Sequence, residues 1–220
     1  MAKVRKGILD GFIGKLGTVV GSFWKGKKVM RSYNEYPADP RTEKQQAVRA
    51  KFGLLGRLSG ALLNALQMGL GQFADKHVST PTASFVELNY GNVTGSTPET
   101  LAVAYDRMVL STGHLTGVGF GAIDTDTALS VKVPITASNM GTPHVKEQDR
   151  VYLVAYSPDW NQSMLSDGST VRIDDAVSLT VPPAWQGLTV HVYGFVMAAD
   201  GADTPFLLSD STYLGSAEIN

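Results

Sequence analysis

The sequence contains no cysteine, which excludes a disulfide framework, a thiolate nucleophile, an iron–sulfur cluster and any zinc site built on cysteine. Its four histidines are scattered, and no two of them have the helical spacing of metal ligands. No Gly-x-Ser-x-Gly sequence is present to hold a serine nucleophile on a sharp turn. We therefore expect a non-catalytic protein with no cofactor, no metal site and no small-molecule substrate.

The chain also has little of what a membrane protein needs. Its most apolar stretch, residues 52–73, is interrupted by Arg57, Ser59, Asn64 and Gln67, whereas a spanning helix requires about 20 mostly apolar residues. The first nine residues are basic and lack the apolar segment of roughly 7–15 residues that a signal peptide requires. We expect neither a membrane span nor a classical signal peptide.

The composition does supply a core and many turns. The chain has 220 residues, of which 43% are hydrophobic, and this is enough apolar material for a hydrophobic core. Its 23 glycines and 10 prolines favour turns over long helices. These numbers predict a turn-rich, mainly β protein of the α+β class.

The charges are divided unevenly along the chain. Residues 1–60 hold 13 of the 19 Lys and Arg and 4 of the 20 Asp and Glu, a net charge of +9, and the remaining residues carry −10. The basic segment of one copy could therefore meet the acidic surface of another copy, an association that salt would weaken. A nucleic acid could use the same positive charge.

Residues 1–36 are predicted to form a basic extended arm and a β-hairpin. Closely spaced glycines disfavour a helix, and β-branched Thr18, Val19 and Val20 favour a strand. Lys25-Gly26 can turn the chain between residues 18–24 and 27–33. This register places Val20, Ser22 and Trp24 across from Val29, Arg31 and Tyr33.

The predicted interface combines apolar anchors with cations that face an acidic surface. Its residues are Phe12, Val20, Phe23 and Trp24 as anchors, and Lys15, Lys25, Lys27, Lys28 and Arg31 as cations. The alternation of these cations with aromatic side chains also fits a nucleic-acid surface. An ordinary amphipathic hairpin, in which aromatics are buried and lysines guard the edges, fits the pattern as well.

Residues 37–75 are predicted to form one long amphipathic helix. Thr42 and Gln45 have the spacing of a capping box. The stripe that follows consists of apolar residues and one serine at three- and four-residue steps: Val48, Phe52, Leu55, Ser59, Leu62, Leu66 and Leu70. Gly53, Gly56 and Gly60 lie on a neighbouring face where another backbone could approach closely. The pattern fits a core helix of this chain and a helix packed on a neighbouring subunit equally well.

Residues 76–99 are predicted to be a connector, which could include a short strand at 83–88, and residues 100–220 an acidic β-sandwich. Alternation of apolar and polar residues is clearest at 129–135 and 177–181. The remaining predicted strands are 101–110, 117–123, 150–156 and 188–197. This spacing is typical of an antiparallel immunoglobulin-like sandwich.

Two further features of the acidic portion leave function open. Asp124-Thr125-Asp126 and Asp174-Asp175 could hold calcium, although Asp is also common in turns. Trp160 and Trp185 could belong to a surface adhesin that binds carbohydrate through the sandwich loops, although loop tryptophans often cover a minor core.

Several N-terminal runs together resemble the signature of an uncharacterised family, a domain of unknown function, found in gut anaerobic bacteria and their phages. These runs are Gly11-Phe12-Ile13-Gly14-Lys15-Leu16-Gly17-Thr18-Val19-Val20-Gly21-Ser22, Trp24-Lys25-Gly26, Met30-Arg31-Ser32, Thr42-Glu43-Lys44-Gln45 and Arg49-Ala50-Lys51-Phe52. They cover roughly the first third of the chain. The resemblance implies no biochemical activity, but it does imply association with phage virion or tail proteins.

The expectation is therefore a structural or assembly protein of a phage virion or phage-derived particle, such as a capsid, tail or decoration component. Its partners would be copies of itself or other virion proteins, and it would be made in the host cytoplasm. A nucleic-acid-binding module is the alternative, and a surface adhesin is the third possibility.

Overall fold

The computed structural model describes residues 2–3, 13–24, 26–36, 39, 41–95, 97–138, 140–142, 144–199 and 207–220. The chain divides into two compact units, Met1–Thr42 and Glu43–Asn220. The described residues are mostly β, with three α-helices and several antiparallel sheets. The mainly β, α+β class is as predicted.

The N-terminal unit is a four-stranded antiparallel sheet. Its strands are β1 (Ala2–Lys3), β2 (Gly14–Leu16), β3 (Val19–Trp24) and β4 (Lys27–Ser32), in the order β1-β4-β3-β2. The predicted hairpin is confirmed, with Trp24 opposite Lys27 and Val20 opposite Arg31. Gly26 has a φ of 73°, a conformation that glycine adopts without strain.

The extended arm predicted before the hairpin differs from the structure. The segments β1 and β2 pair with the two outer sides of the hairpin, β1 with β4 and β2 with β3. Pairing satisfies backbone groups that an isolated arm would leave to water. The predicted residues Phe12 and Lys25 lie outside the described residues.

The predicted long helix is not confirmed as one element. The helical region is divided into α1 (Glu43–Ala61) and α2 (Leu63–Lys76), and Leu62 between them has φ −96° and ψ 9°. The second half of the predicted stripe, from Leu55 to Leu70, is buried in the core of its own unit, whereas Val48 and Phe52 are 43% and 52% exposed.

The strand suggested at residues 83–88 is wrong, because these residues belong to helix α3 (Pro81–Asn89). The local reason is an N-cap. The Thr80 hydroxyl accepts a hydrogen bond from the Ala83 amide at 3.2 Å. Pro81 occupies the first turn, where its missing N–H is not needed.

The C-terminal unit contains nine described strands. They are β5 (Val93–Thr94), β6 (Ala102–Val103), β7 (Gly119–Phe120), β8 (Ser130–Thr136), β9 (Arg150–Ser157), β10 (Gln162–Leu165), β11 (Ala176–Thr180), β12 (Thr189–Met197) and β13 (Thr212–Glu218). They form a four-stranded sheet ordered β10-β9-β12-β13, a three-stranded sheet ordered β11-β8-β7, and the pair β5-β6.

Strand predictions succeeded where alternation was regular. Strands β8, β9, β11 and β12 lie where the sequence placed them. The predicted strand at 101–110 is reduced to β6 followed by a 3-10 turn at Tyr105–Arg107, and β10 and β13 were not predicted. The immunoglobulin-like topology is not confirmed.

Two hydrophobic cores lie on either side of the four-stranded sheet. The first joins the helices to one face of the sheet, with Leu66 and Phe85 meeting Tyr152 and Phe195. The second joins the other face to the three-stranded sheet, with Val133 and Val177 meeting Leu153. Seven of the eight residues of β9 are buried, because this strand contributes to both cores.

A buried ion pair connects loops of the C-terminal unit. Arg172 and Asp149 have fully buried side chains, and Arg172 Nε lies 3.2 Å from Asp149 Oδ2. The guanidinium also donates to the carbonyl oxygens of Gly117 at 2.8 Å and Thr116 at 2.6 Å. Asp149 Oδ1 accepts from the Ala199 amide at 3.1 Å. Both charges therefore have the additional hydrogen bonds that a buried pair requires.

None of the helices in the described part of the chain is both long and apolar enough to cross a membrane.

Candidate interaction surface

The strand register sorts the predicted interface residues onto two faces of the N-terminal sheet. Lys15 lies opposite Val20, Val20 opposite Arg31, and Trp24 opposite Lys27. Directly opposed residues of an antiparallel pair share a face. We call this face, defined by Lys15, Val20, Trp24, Lys27 and Arg31, the cationic face.

Tyr33 also belongs to the cationic face. Its amide donates to the Thr18 carbonyl oxygen at 2.7 Å, which continues the hairpin ladder beyond β4. The Lys15 ammonium lies 3.6 Å from the centroid of the Tyr33 ring, a cation–π contact. A shallow pocket on this face is lined by Val20, Arg31 and Tyr33.

The opposite face is mainly apolar. Leu16 lies opposite Val19, and Phe23 lies opposite Lys28, so alternation along the strands places these four side chains together with Met30. We call this set, Leu16, Val19, Phe23, Lys28 and Met30, the apolar face. Of the predicted interface residues that the structure describes, Phe23 and Lys28 therefore lie on a different face from the others.

Much of the hydrophobic area of the N-terminal sheet is in contact with solvent. Leu16, Phe23 and Trp24 are 53%, 51% and 54% exposed, and within the described residues of this unit only Gly21 and Val29 are buried. A sheet in a stable domain normally buries one face against another layer. Exposed aromatic side chains of this size mark a surface that gains free energy when a partner covers it.

The charge of the unit favours an anionic partner. Residues 1–42 contain nine Lys and Arg and three Asp and Glu. Lys15, Lys27 and Arg31 are exposed and form no ion pair with any described carboxylate. Sequence reasoning identified these cations but missed Leu16 and Met30, whose place on the apolar face follows only from the register with β3.

The glycine face of α1 is open. A Cβ placed on Gly53, Gly56 or Gly60 would meet no neighbouring heavy atom within 4 Å. The close backbone approach that the sequence allowed there is not made by any described residue.

The candidate calcium ligands act as turn acceptors. Asp124 Oδ1 accepts from the Asp126 amide at 2.9 Å, and Asp174 Oδ2 accepts from the Val171 amide at 2.8 Å. In the ranges that the structure describes, no group of three His, Cys, Asp or Glu side chains could hold a metal ion. Of the two loop tryptophans, Trp160 is 53% exposed, whereas Trp185 is 1% exposed and belongs to the second core.

A tyrosine-rich cluster surrounds His191 on the four-stranded sheet. The His191 ring stacks on Tyr105 at 4.0 Å between centroids, and Nδ1 lies 3.0 Å from the Tyr213 hydroxyl. Burial lowers the pKa of His191, because a partly desolvated imidazolium is disfavoured. Burial raises the pKa of Tyr193, whose hydroxyl donates to the Tyr105 carbonyl oxygen at 2.8 Å. The cluster is a packed, hydrogen-bonded part of the fold.

The lowered pKa of His191 predicts a pH dependence of stability. The unfolded chain takes up the proton more readily than the folded one, so the free energy of unfolding should fall as the pH drops below about 6.5, the ordinary histidine value. The loss should be complete once the pH is below the folded pKa. Urea unfolding at pH values on both sides of this window measures the effect.

The matched variant for this measurement is His191→Phe, which keeps a ring that can stack on Tyr105 and removes the titration. The pH dependence of unfolding should be smaller in this variant. An identical pH dependence in both proteins would assign it to other groups.

Comparison with known proteins identifies the family of this chain. No curated protein matches the chain, and no solved structure matches it. A family described as one of unknown function, DUF6266, matches residues 11–215, so the match extends over most of the chain and not a third of it. Nothing in these comparisons concerns a phage or a virion. By this match the chain belongs to DUF6266, a family of unknown function.

Proposed function

We propose that the protein is a non-catalytic assembly protein whose N-terminal sheet binds a second copy of the same chain. The observation that supports this most directly is the exposed sheet itself, with cations on one face and apolar side chains on the other. An enzyme needs converging chemical groups, whereas this surface needs a partner to cover it.

Charge complementarity supports a second copy as the partner. Residues 43–220 contain ten Lys and Arg and 17 Asp and Glu, whereas residues 1–42 are strongly basic. Attraction between the basic unit of one copy and the acidic unit of another would speed their encounter and set their orientation. Burial of Trp24 and Tyr33, the exposed aromatic side chains of the cationic face, would supply the apolar contribution, at about 25 cal/mol for each Å² removed from water.

The proposed setting is a phage virion or phage-derived particle, in which the protein would be a capsid, tail or decoration component. The support for this setting is the resemblance of the N-terminal runs to a family of gut anaerobic bacteria and their phages. The self-association proposal stands on the sheet and its charges, independently of that setting.

The test is a triple charge reversal on the cationic face, Lys15→Glu, Lys27→Glu and Arg31→Glu. The unmodified protein should form dimers or larger oligomers that dissociate at high salt, and the variant should be monomeric at the same concentration. Light scattering coupled to size exclusion, at low and high salt, gives the mass of each species.

A matched control makes the same change of charge in the C-terminal unit, at three exposed cations, Lys132→Glu, Lys146→Glu and Arg150→Glu. This control should keep the oligomeric mass of the unmodified protein. A monomeric unmodified protein at all concentrations, or equal masses for the two triple variants, would contradict self-association through the cationic face.

Nucleic-acid binding is the second candidate, and one observation favours it. Trp24 and Tyr33 share the cationic face with three exposed cations, an arrangement that single-strand-binding surfaces use to stack bases and contact phosphates. A gel-shift titration with a single-stranded oligonucleotide tests it, because such binding should weaken steeply with salt and be lost in the Lys15, Lys27 and Arg31 variant. Binding by a protein that stays monomeric would favour this function over self-association.

A further inference from the structure

A groove between two helices of the C-terminal unit leaves apolar side chains uncovered. Phe52 on α1 and Tyr90, directly after α3, are in ring contact, with 5.2 Å between the ring centroids. Beside this contact lies a groove of about 500 Å³. It is lined by Phe52, Ala83, Val86, Glu87 and Tyr90, so the Glu87 carboxylate is the one charged group of a mainly apolar lining.

The sequence of α3 explains why this groove is open. Ala83, Val86 and Tyr90 recur at three- and four-residue steps and therefore share one side of the helix. Phe85 is fully buried in the first core, so α3 is anchored through a different side. The short side chain of Ala83 leaves the space beside Phe52 unfilled.

The apolar face of the N-terminal sheet is complementary to this groove. It presents the exposed side chains of Leu16 and Phe23, and Lys28 is its one charged residue. The groove has one charged residue of the opposite sign, Glu87, which is exposed and forms no ion pair with any cation that the structure describes. Contact between the two surfaces would pair these charges and remove apolar area from water.

Cations at the edge of the groove oppose this contact and limit its strength. Lys44 and Lys51 line a neighbouring hollow together with Glu43, and their charge repels the basic N-terminal unit of another copy. The Lys51 ammonium donates to the Val93 carbonyl oxygen at 2.9 Å, so it is held within its own unit. The apolar contact therefore adds to the attraction at the cationic face and does not replace it.

We propose that the apolar face of the N-terminal sheet of one copy docks in the groove between α1 and α3 of a second copy. Phe23 would pack against Phe52 and Val86, and Lys28 would lie near Glu87. This inference rests on the proposed self-association and adds the position on the second copy at which the sheet binds. Because sheet and groove are different surfaces, the contact is head-to-tail, and repetition of it builds a ring or an open chain of copies.

The experiment compares full-length variants by sedimentation equilibrium at low salt. Phe23→Ser on the sheet and Phe52→Ser in the groove should each raise the dissociation constant roughly tenfold, because each removes apolar area from the contact. The matched control is Ile173→Ser, which changes a side chain of similar exposure, 54%, that lines neither surface. Its dissociation constant should equal that of the unmodified protein.

A mixture of the two serine variants tests the head-to-tail arrangement. At a concentration where each variant alone is monomeric, an equimolar mixture should form a species of two chains and no larger one. The intact sheet of Phe52→Ser can enter the intact groove of Phe23→Ser, whereas the remaining sheet and groove are both altered. A mixture that stays monomeric would contradict the docking proposed here.

An exchange of charges gives a second measurement that does not depend on the aromatic side chains. Lys28→Glu and Glu87→Lys should each weaken association roughly threefold, and the chain that carries both changes should recover it. No recovery in that chain would contradict the pairing of these two residues.

The outcomes separate this inference from the proposed function. Oligomers that the triple variant of the cationic face dissociates, but that Phe52→Ser leaves unchanged, would overturn docking in the groove and leave self-association standing. An unmodified protein that is monomeric at all concentrations would overturn both.

Discussion

Replacement of Arg172 by alanine is expected to lower the free energy of unfolding by about 3–5 kcal/mol, because it leaves a charged carboxylate unpaired in the protein interior. Asp149 has no exposed side-chain surface, and among the described residues its ion pair is with Arg172, whose Nε donates to Asp149 Oδ2 at 3.2 Å. The same substitution removes the donors to the Gly117 and Thr116 carbonyl oxygens. A loss of this size is a large part of the roughly 5–15 kcal/mol that stabilises a typical domain.

Denaturant unfolding measures this loss. The control is Arg107→Ala, which breaks an exposed ion pair with Asp106 at 3.7 Å and should change the free energy of unfolding by at most about 1 kcal/mol. The double variant Asp149→Leu, Arg172→Met removes both charges and should be more stable than Arg172→Ala alone. Equal losses for Arg172→Ala and Arg107→Ala would show that the buried pair has no special role.

Substitution of Gly69 by alanine is expected to destabilise the protein by about 1–3 kcal/mol, although alanine is the better helix former. A Cβ at Gly69 would overlap the Leu110 carbonyl oxygen and would lie 2.9 Å from Ser111 Cβ. The first neighbour is backbone, so helix α2 or the adjoining segment would have to move. Thermal or urea unfolding measures the change.

Gly71→Ala is the matched control, on the same helix and two positions later. A Cβ there meets no neighbouring heavy atom within 4 Å, so this variant should gain about 0.5–1 kcal/mol from its lower backbone entropy in the unfolded chain. The two substitutions should therefore change the free energy of unfolding in opposite directions. An increase in the free energy of unfolding in both variants would contradict a close contact between Gly69 and the Leu110 segment.

The sequence predicts strands well where one face of a sheet meets solvent. In β8 the buried residues Val131, Val133 and Ile135 alternate with exposed ones, and this is the pattern on which the prediction rested. The hairpin of the N-terminal sheet was predicted for a similar reason, because the glycine turn fixes the register of both strands.

The sequence is less informative where a strand or helix depends on distant contacts. In β9 a continuous buried run marks a strand, but it does not show that helices cover one of its faces. Strand β13 contains Gly215 at φ 130° and a register shift against β12, so its alternation is broken. Helix α3 begins with a Thr-Pro pair, which is also typical of a loop.

The same distinction between local sequence and distant contacts applies to the functional features. The cations of the N-terminal sheet can be chosen from composition alone, but the assignment of Lys15 and Arg31 to one face and Phe23 to the other needs the strand pairing. Arginine and aspartate usually lie on the surface, so the sequence does not predict that Arg172 and Asp149 are buried.

The position of β9 between the two cores has a consequence for how the C-terminal unit loses its structure. Separation of the helices from the sheet, or of the three-stranded sheet from the other side, would expose one side of the same strand to water. Neither outer layer can detach without weakening the support of the other. The C-terminal unit should therefore unfold in one cooperative step, with the β9 amides among the last to exchange their hydrogens with solvent.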